Sequence, residues 1–445
     1  MKNLHIWVLA GIVVGVVLGA ILNSAYIDVA HVEVSKTVAP ESAEYPKALA
    51  DTLKQTVEAT WLGSTLRGVS KIFLNLLKMV VIPLVFFSLL SGILSLGGGQ
   101  NLGRMGLKTG GWYLMTSLIS IVTGLLFVNI LAPGEGLELA IPTEARDAHP
   151  PKSFWDILIN MVPSNVVGAA SKFDMFGVIF FTLAFGAALT RTSGEALKTM
   201  KNLIEAGSEA MMTLTEWVMA VSPIGIAALI ASTVASTGLE IFSALIWFVL
   251  TVALALGFHV FVSMPTLVYS FTKRNPYQYM RAMMPALLTG FSTASSSGTL
   301  GVTMETAEKR GGVSKRVTSF VLPLGATVNM DGTALFECVT VLFIAQFHAA
   351  THPEFAPLGL TSQLLVVFLA LAVSIGAAGI PHAGLVMMVI ILNAVNLPLE
   401  YTALVWAVDR VLDMCRTATN IWSDACGAFV VAHSEDAITA PASQA

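Results

Sequence analysis

Charge is what this chain has least of. Asp, Glu, Lys and Arg make up 12% of its 445 residues, while hydrophobic residues make up 55%. Ordinary soluble domains are roughly 25% charged, so the balance points to a membrane protein. Cysteine is nearly absent. Cys338, Cys415 and Cys426 lie within apolar stretches, which leaves no disulfide framework and no cysteine-based metal motif. A basic patch is missing too: the net charge is −4, and nothing in the pattern would hold nucleic acid. The first apolar run, "IWVLAGIVVGVVLGAIL" at 6–22, has neither a small-residue cleavage site nor a strong basic start. It therefore reads as a span and not as a signal peptide.

What is present is a series of long apolar segments. A helix needs about 20 apolar residues to cross ~30 Å of hydrocarbon. Candidates beyond 6–22 lie at 73–97, 111–132, 176–190, 212–235, 241–271, 317–347, 363–395 and 401–432. Basic connections hold Arg104 and Lys108; Arg191, Lys198 and Lys201; Lys273, Arg274 and Arg281; and Lys309, Arg310, Lys315 and Arg316. The stretches 24–62 and 133–152 are acidic. The positive-inside rule puts the basic set, and the N-terminus, in the cytoplasm. The tail after residue 434 is polar and short.

Two segments fail as plain spans. In 283–310, the run "STASSSGT" could not face lipid as a helix, and both flanks are basic. In 363–395, "GAAGIPHAG" gathers helix breakers at mid-segment. Either one alone reads equally well as a kinked helix at a packing seam. Two of them, bracketing the polar "GATVNMDGTAL" at 325–335, point to a pair of re-entrant hairpins from opposite sides. Broken segments in corresponding positions suggest inverted repeats around a transporter's binding site.

The stretch "AVDRVLDMCRTATNIWSDACG" at 407–427 carries charge where lipid would forbid it. At 100° per residue, Asp409, Asp413, Arg416, Thr417, Asn420 and Asp424 fall in a stripe about 100° wide. Val411, Leu412, Met414, Cys415, Ala418, Ile421, Trp422, Ser423 and Ala425 fall on the other side. A charge at the bilayer centre is costly, so the stripe must line a protein-enclosed site. A structural ion-pair network is the alternative, but three carboxylates against one arginine leave surplus negative charge. Bound cations would neutralise it, and carboxylate, amide and carbonyl oxygens suit hard cations. Arg416 is a fork for a carboxylate, and Asp413, one turn away, can meet an ammonium. An amino acid has both groups. Asn329 and Asp331, flanked by Gly325 and Gly332, mark unwound backbone whose carbonyls can join a cation site.

These motifs, "SSSGT" (295–299), "NMDGT" (329–333), "GIPHAG" (379–384) and "DMCRTATN" (413–420) followed by Asp424, resemble the dicarboxylate/amino acid:cation symporters over nearly the whole chain. That family includes animal excitatory amino acid transporters and archaeal aspartate transporters. The resemblance implies an all-α polytopic membrane protein with eight transmembrane helices, two re-entrant hairpins and inverted repeats. It also implies a homotrimer in the plasma membrane, in which a transport domain slides past a scaffold like an elevator. The implied division places scaffold at 1–98, with an outer loop at 24–62, and at 150–236. The transport domain takes 99–149 and 237–434, and 435–445 is a cytoplasmic tail.

Carried over by position, the resemblance implies that substrate meets Ser295, Ser296, Ser297, Met330, Thr333, Ile380, Gly384, Asp413, Arg416, Thr417 and Asn420. One sodium takes Gly325, Asn329, Asn420 and Asp424. A second takes backbone near Thr327, Ser374, Ile375 and Ala377. A third takes Tyr113, Thr116, Ser117, Asn329 and Asp331. Asp413 and Arg416 together match members for acidic amino acids, so sodium-driven uptake of aspartate and glutamate is expected. Glu337 matches the animal members, which co-transport a proton; archaeal members have glutamine there. Ala294 and Met414 stand where archaeal and animal members, respectively, carry an arginine, which sets potassium coupling apart from the expectation. His382 replaces a small residue at the second hairpin tip, as a gate residue or a pH-sensitive one. Two rival classes fit less well. A channel needs no neutralising site of this kind. A membrane protease needs a base, and the serines at 295–297 have no histidine nearby in sequence.

Overall fold

A computed structural model describes residues 4–40, 42, 45–95, 100–135, 162–172, 175–239, 241–351, 355, 357–374 and 383–435. The elements are helices: α1 (Leu4–Val34), α2 (Tyr45–Ala59), α3 (Trp61–Ser95), α4 (Gln100–Leu131), α5 (Val166–Ser171), α6 (Met175–Leu189), α7 (Gly194–Ala220), α8 (Ser222–Thr237) and α9 (Ile241–Phe258). A π-helical turn, His259–Ser263, joins α9 to α10 (Met264–Thr272). Then come α11 (Pro276–Thr293), α12 (Ser296–Lys309), α13 (Lys315–Val328), α14 (Asp331–Thr351), α15 (Leu360–Ser374), α16 (Ala383–Ala394) and α17 (Thr402–Ser434). Among the described residues four stretches are long and apolar enough to cross a membrane: Ala10–Val34, Arg104–Leu131, Leu245–Thr272 and Lys315–Ala350. The chain is a multi-pass membrane protein.

Small residues hold the first group of helices together. Gly11, Gly15 and Gly19 recur every fourth residue on one face of α1. A Cβ there would come within 2.4 Å of the Pro223 oxygen, 2.6 Å of the Ala227 oxygen and 2.7 Å of the Ala231 oxygen. Without side chains in the seam, α1 and α8 approach backbone to backbone, the packing that lipid favours. Helices α2 and α3 pack on this pair, and α6 and α7 pack on α3.

The second group centres on α14, buried along nearly its whole length. Phe343 stacks on Phe248 of α9 at 4.7 Å, and α4, α15, α16 and α17 pack around it. Near the other end of α17, Tyr279 of α11 stacks on Phe429 at 4.2 Å and donates its hydroxyl to the Ala425 carbonyl at 2.9 Å. The two groups meet where α17 touches α8 and where α3 touches α13 and α16.

Several expected boundaries are revised. The stretch 24–62 is not a plain loop: α1 runs on to Val34, and α2 occupies Tyr45–Ala59. Ala50, Leu53 and Val57 bury one face of α2 against α1, α3 and α8. The segment 212–235 is two helices parted at Val221, where Pro223 opens the second. The segment 317–347 breaks at Asn329 and Met330, as the glycines and polar residues there suggested. The segment 283–310 is α11 and α12 packed on each other, with Ala294 at φ +51° turning the chain between them. The breakers of the second hairpin, 375–382, lie outside the described residues, while α15 and α16 on either side pack together.

Candidate functional site

The polar face of α17 forms two adjoining clusters. In the first, the Arg416 guanidinium is buried. It donates from Nη1 to Asp409 Oδ1 at 2.8 Å and from Nη2 to Asp413 Oδ1 at 2.7 Å. Its plane lies 3.8 Å from the Phe336 ring centroid on α14, close enough for a cation–π contact. Its Nε is buried with no hydrogen-bond partner among the described residues. Gly384 opens α16 beside it: a Cβ there would sit 3.6 Å from the guanidinium carbon and 3.1 Å from Thr333.

Asn420, one turn on, bridges to the break before α14. Its Oδ1 accepts from the Gly332 amide at 2.7 Å, and its Nδ2 donates to Thr333 Oγ1 and Met330 Sδ, each at 3.2 Å. Thr417 is buried beside it, and Gly290 of α11 lies against Thr417 and Ile421. Four residues on, Ala294 turns the chain. Ser295 then caps α12 by accepting from the Gly298 amide at 3.0 Å, and Ser296 is buried behind it. The first hairpin's serines thus begin a helix whose partner arm packs at the level of Thr417.

The second cluster is built on Asp331 and Asp424. Asp331 Oδ1 accepts from Ser117 at 2.6 Å and Oδ2 from Ser423 at 2.6 Å; its carbonyl accepts from Ser120 at 2.8 Å. His259 Nε2, from the π-helical turn, lies 3.3 Å from Oδ2. Asn329 Nδ2 donates to Asp424 Oδ1 and to Ser423 Oγ, both at 2.9 Å, and its Oδ1 accepts from Thr116 at 3.4 Å. Tyr113 donates to the Val321 carbonyl at 2.7 Å. Gly325 is required by this crowding. A Cβ there would stand 2.3 Å from Asp424 Oδ1 and 2.6 Å from the Tyr113 hydroxyl. Every named side chain of this cluster is buried.

Two of the expected ion sets are therefore brought together: Gly325, Asn329 and Asp424, and Tyr113, Thr116, Ser117, Asn329 and Asp331. Asn420 lies one turn from Asp424 on the same helix. Of the remaining set, only Thr327 and Ser374 lie among the described residues. Thr327 and Ser374 each donate to a carbonyl of their own helix, Leu324 at 3.0 Å and Leu371 at 3.0 Å. Ile375, Ala377, Ile380 and His382 lie outside the described residues. Asp413, the residue expected to meet an ammonium, accepts here from Arg416 Nη2. Ser423, assigned to the apolar side of α17, joins Asp331 and Asn329 instead: at about 100° per residue it falls roughly 20° beyond Arg416, at the edge of the stripe. His259 and Ser120 carried no motif and were reached only by packing. Glu337 is buried on α14, one residue from Phe336, and both its oxygens lack a hydrogen-bond partner among the described residues.

Comparison with known proteins agrees with this architecture. Residues 4–434 match the sodium:dicarboxylate symporter family. The chain is 35% identical over 415 residues to an excitatory amino acid transporter of Onchocerca volvulus, covering 82% of each chain. It is 35% identical over 415 residues to one of Caenorhabditis elegans, covering 82% of this chain and 80% of that one. It is also 34% identical over 403 residues to the neutral amino acid transporter B(0) of Oryctolagus cuniculus, covering 82% and 73%. These relatives are named as transporters, not enzymes. The chain belongs to the sodium:dicarboxylate symporter family.

Proposed function

We propose that this protein is a sodium-coupled transporter of acidic amino acids, working by an elevator motion within a homotrimer of the plasma membrane, its termini cytoplasmic. The observation that carries the reading is the pair of adjoining clusters on α17: a buried guanidinium shared by two carboxylates, and beside it a nest of oxygen donors around two more.

In this reading a substrate side-chain carboxylate takes a share of Arg416. Asp413 then turns from the guanidinium to the substrate ammonium, one hydrogen bond exchanged for another. Asn420 and Thr417 hold the rest of the substrate from the α17 side, Met330, Thr333 and Gly384 from α14 and α16, and Ser295–Ser297 from the hairpin tip. Sodium is cargo. Asp424, Asn329, Asn420 and the Gly325 carbonyl supply oxygens for one ion, and Asp331, Ser117, Thr116, Asn329 and Tyr113 for another. Thr327 and Ser374 flank a third with 375–377. Oxygen-only donors of this kind suit a hard cation.

Relatives named for acidic and for neutral substrates are both similar to this chain. A neutral substrate would leave Arg416 with Asp409 and Asp413 alone, so the arginine favours the acidic reading. Aspartate binding to the purified protein, measured by calorimetry at rising sodium, tests the coupling. Linkage is reciprocal, so wild type should bind aspartate more tightly as sodium rises, and Asp424→Asn should lose much of that dependence. Equal sodium dependence in the variant would move the ion site elsewhere.

A further inference from the structure

The corner between α10 and α11 supplies no side chain to the hydrogen bonds of either cluster. From Ile241 to Met304 the chain holds no acidic residue, while Lys273, Arg274 and Arg281 fall within nine positions. All three cations are exposed, and none makes an ion pair among the described residues. Aromatic side chains stand among them: Tyr269 is 56% exposed, Phe271 54% and Tyr277 50%. Lys273 sits at φ +56° just past the end of α10, with its Nζ 5.7 Å from the Tyr269 ring centroid.

The corner is fixed in place. Asn275 caps α11, accepting from the Tyr277 and Gln278 amides. Pro265 cannot donate to the Phe261 carbonyl four residues back, and the Tyr277 hydroxyl donates to that carbonyl at 2.9 Å. Phe271 meets Trp112 of α4 edge-on at 5.8 Å. Leading to the corner is an exposed apolar stripe at helical spacing: Trp247, Leu250, Leu254, Phe258 and Phe261. Such a stripe faces acyl chains. Aromatic rings and cations at its end mark the headgroup level.

We propose that this corner binds the headgroup of an anionic phospholipid whose acyl chains lie along the α9–α10 stripe. The inference uses the orientation that puts basic connections in the cytoplasm, and it does not depend on which substrate is carried. The observations favour a lipid over a soluble anion because the cations and the apolar stripe are continuous. Each Lys or Arg near an anionic surface strengthens binding about fivefold.

Native mass spectrometry of the full-length protein, released from micelles holding equal phosphatidylglycerol and phosphatidylcholine, tests the proposal. Wild type should retain phosphatidylglycerol over phosphatidylcholine by tenfold or more. Lys273→Gln/Arg274→Gln/Arg281→Gln should bring the ratio near one. The control Arg191→Gln/Lys198→Gln/Lys201→Gln, with the same charge change on another basic connection, should keep it. No preference in wild type, an unchanged preference in the first variant, or equal losses in both would overturn the proposal. So would displacement of the lipid by millimolar glycerol phosphate, since the acyl chains would then add nothing. Should the first variant not fold, wild type alone decides: phosphatidylglycerol carrying a diazirine near its glycerol should label peptides within 269–281. Labelling that spares those peptides overturns the site.

Discussion

Two carboxylates share one guanidinium on α17. Removing one partner of a buried pair costs about 3–5 kcal/mol, because the other charge stays buried alone. Arg416→Cys should therefore lower stability and also remove the carboxylate fork. Aspartate affinity should fall by about 2–5 kcal/mol, with small neutral amino acids spared, as read by calorimetry; unchanged aspartate affinity would break the assignment. Glu337 differs in kind, because its oxygens have no partner among the described residues. A carboxyl so placed is free to trade a proton as its surroundings change. Wild-type protein should acidify the lumen of liposomes during aspartate uptake. Glu337→Gln should transport without acidification and with a flatter pH profile. Acidification that persists in the variant would place the proton elsewhere. The stripe from Asp409 to Asp424 was legible in the sequence because a helix has a fixed period. Ser423 was legible by the same period, which puts it about 20° beyond Arg416 at the edge of the stripe, but it was counted with the apolar side. Asp413 and Arg416 were legible as neighbours one turn apart, while the bond between them is seen only in the side-chain geometry.

Helix breaks separate what the pattern displays from what it hides. The turns at Ala294 and at Asn329–Met330 were legible because glycine, hydroxyl and amide residues interrupt apolar runs there. The π-helical turn at His259–Ser263 adds one residue to a turn without changing composition, so no residue type announces it. Helix α2 was masked by the acidic residues around it, although Ala50, Leu53 and Val57 have helical spacing. Another unannounced tie joins the N-terminal end of α4 to the C-terminal end of α17. Glu435 accepts from Lys108 Nζ at 2.6 Å and from Arg104, while Lys108 also reaches Ser434. Hydrogen bonds from Arg104 and then Lys108 hold its carboxyl down to about 2, from an ordinary value of 4.5. A depressed carboxyl stabilises above its unfolded value and stops doing so as pH falls through its folded one. Glu435→Gln should therefore melt at a lower temperature than wild type at neutral pH. The gap should narrow below about pH 4.5 and close near pH 2. A gap that stays constant between pH 7 and pH 3 would mean the tie contributes nothing.

At the scale of the whole molecule, the two helix groups suggest the division of labour. One is joined by the glycine seam of α1 and α8; the other carries both polar clusters around α14 and α17. Membrane class and family were legible from scarce charge and four ordered motifs. A grouping came only with the family resemblance and not from composition, because it depends on which apolar faces meet, and apolar faces look alike in sequence. The central claim is that acidic substrate and sodium move together through the second group. Its most direct test is uptake of labelled aspartate into proteoliposomes under an imposed sodium gradient, with matched vesicles given only a proton or a potassium gradient. Concentrative aspartate uptake that requires inward sodium, and that unlabelled glutamate competes away, is the predicted result. Equal uptake without the sodium gradient, or none of aspartate alongside uptake of neutral amino acids, would contradict the account.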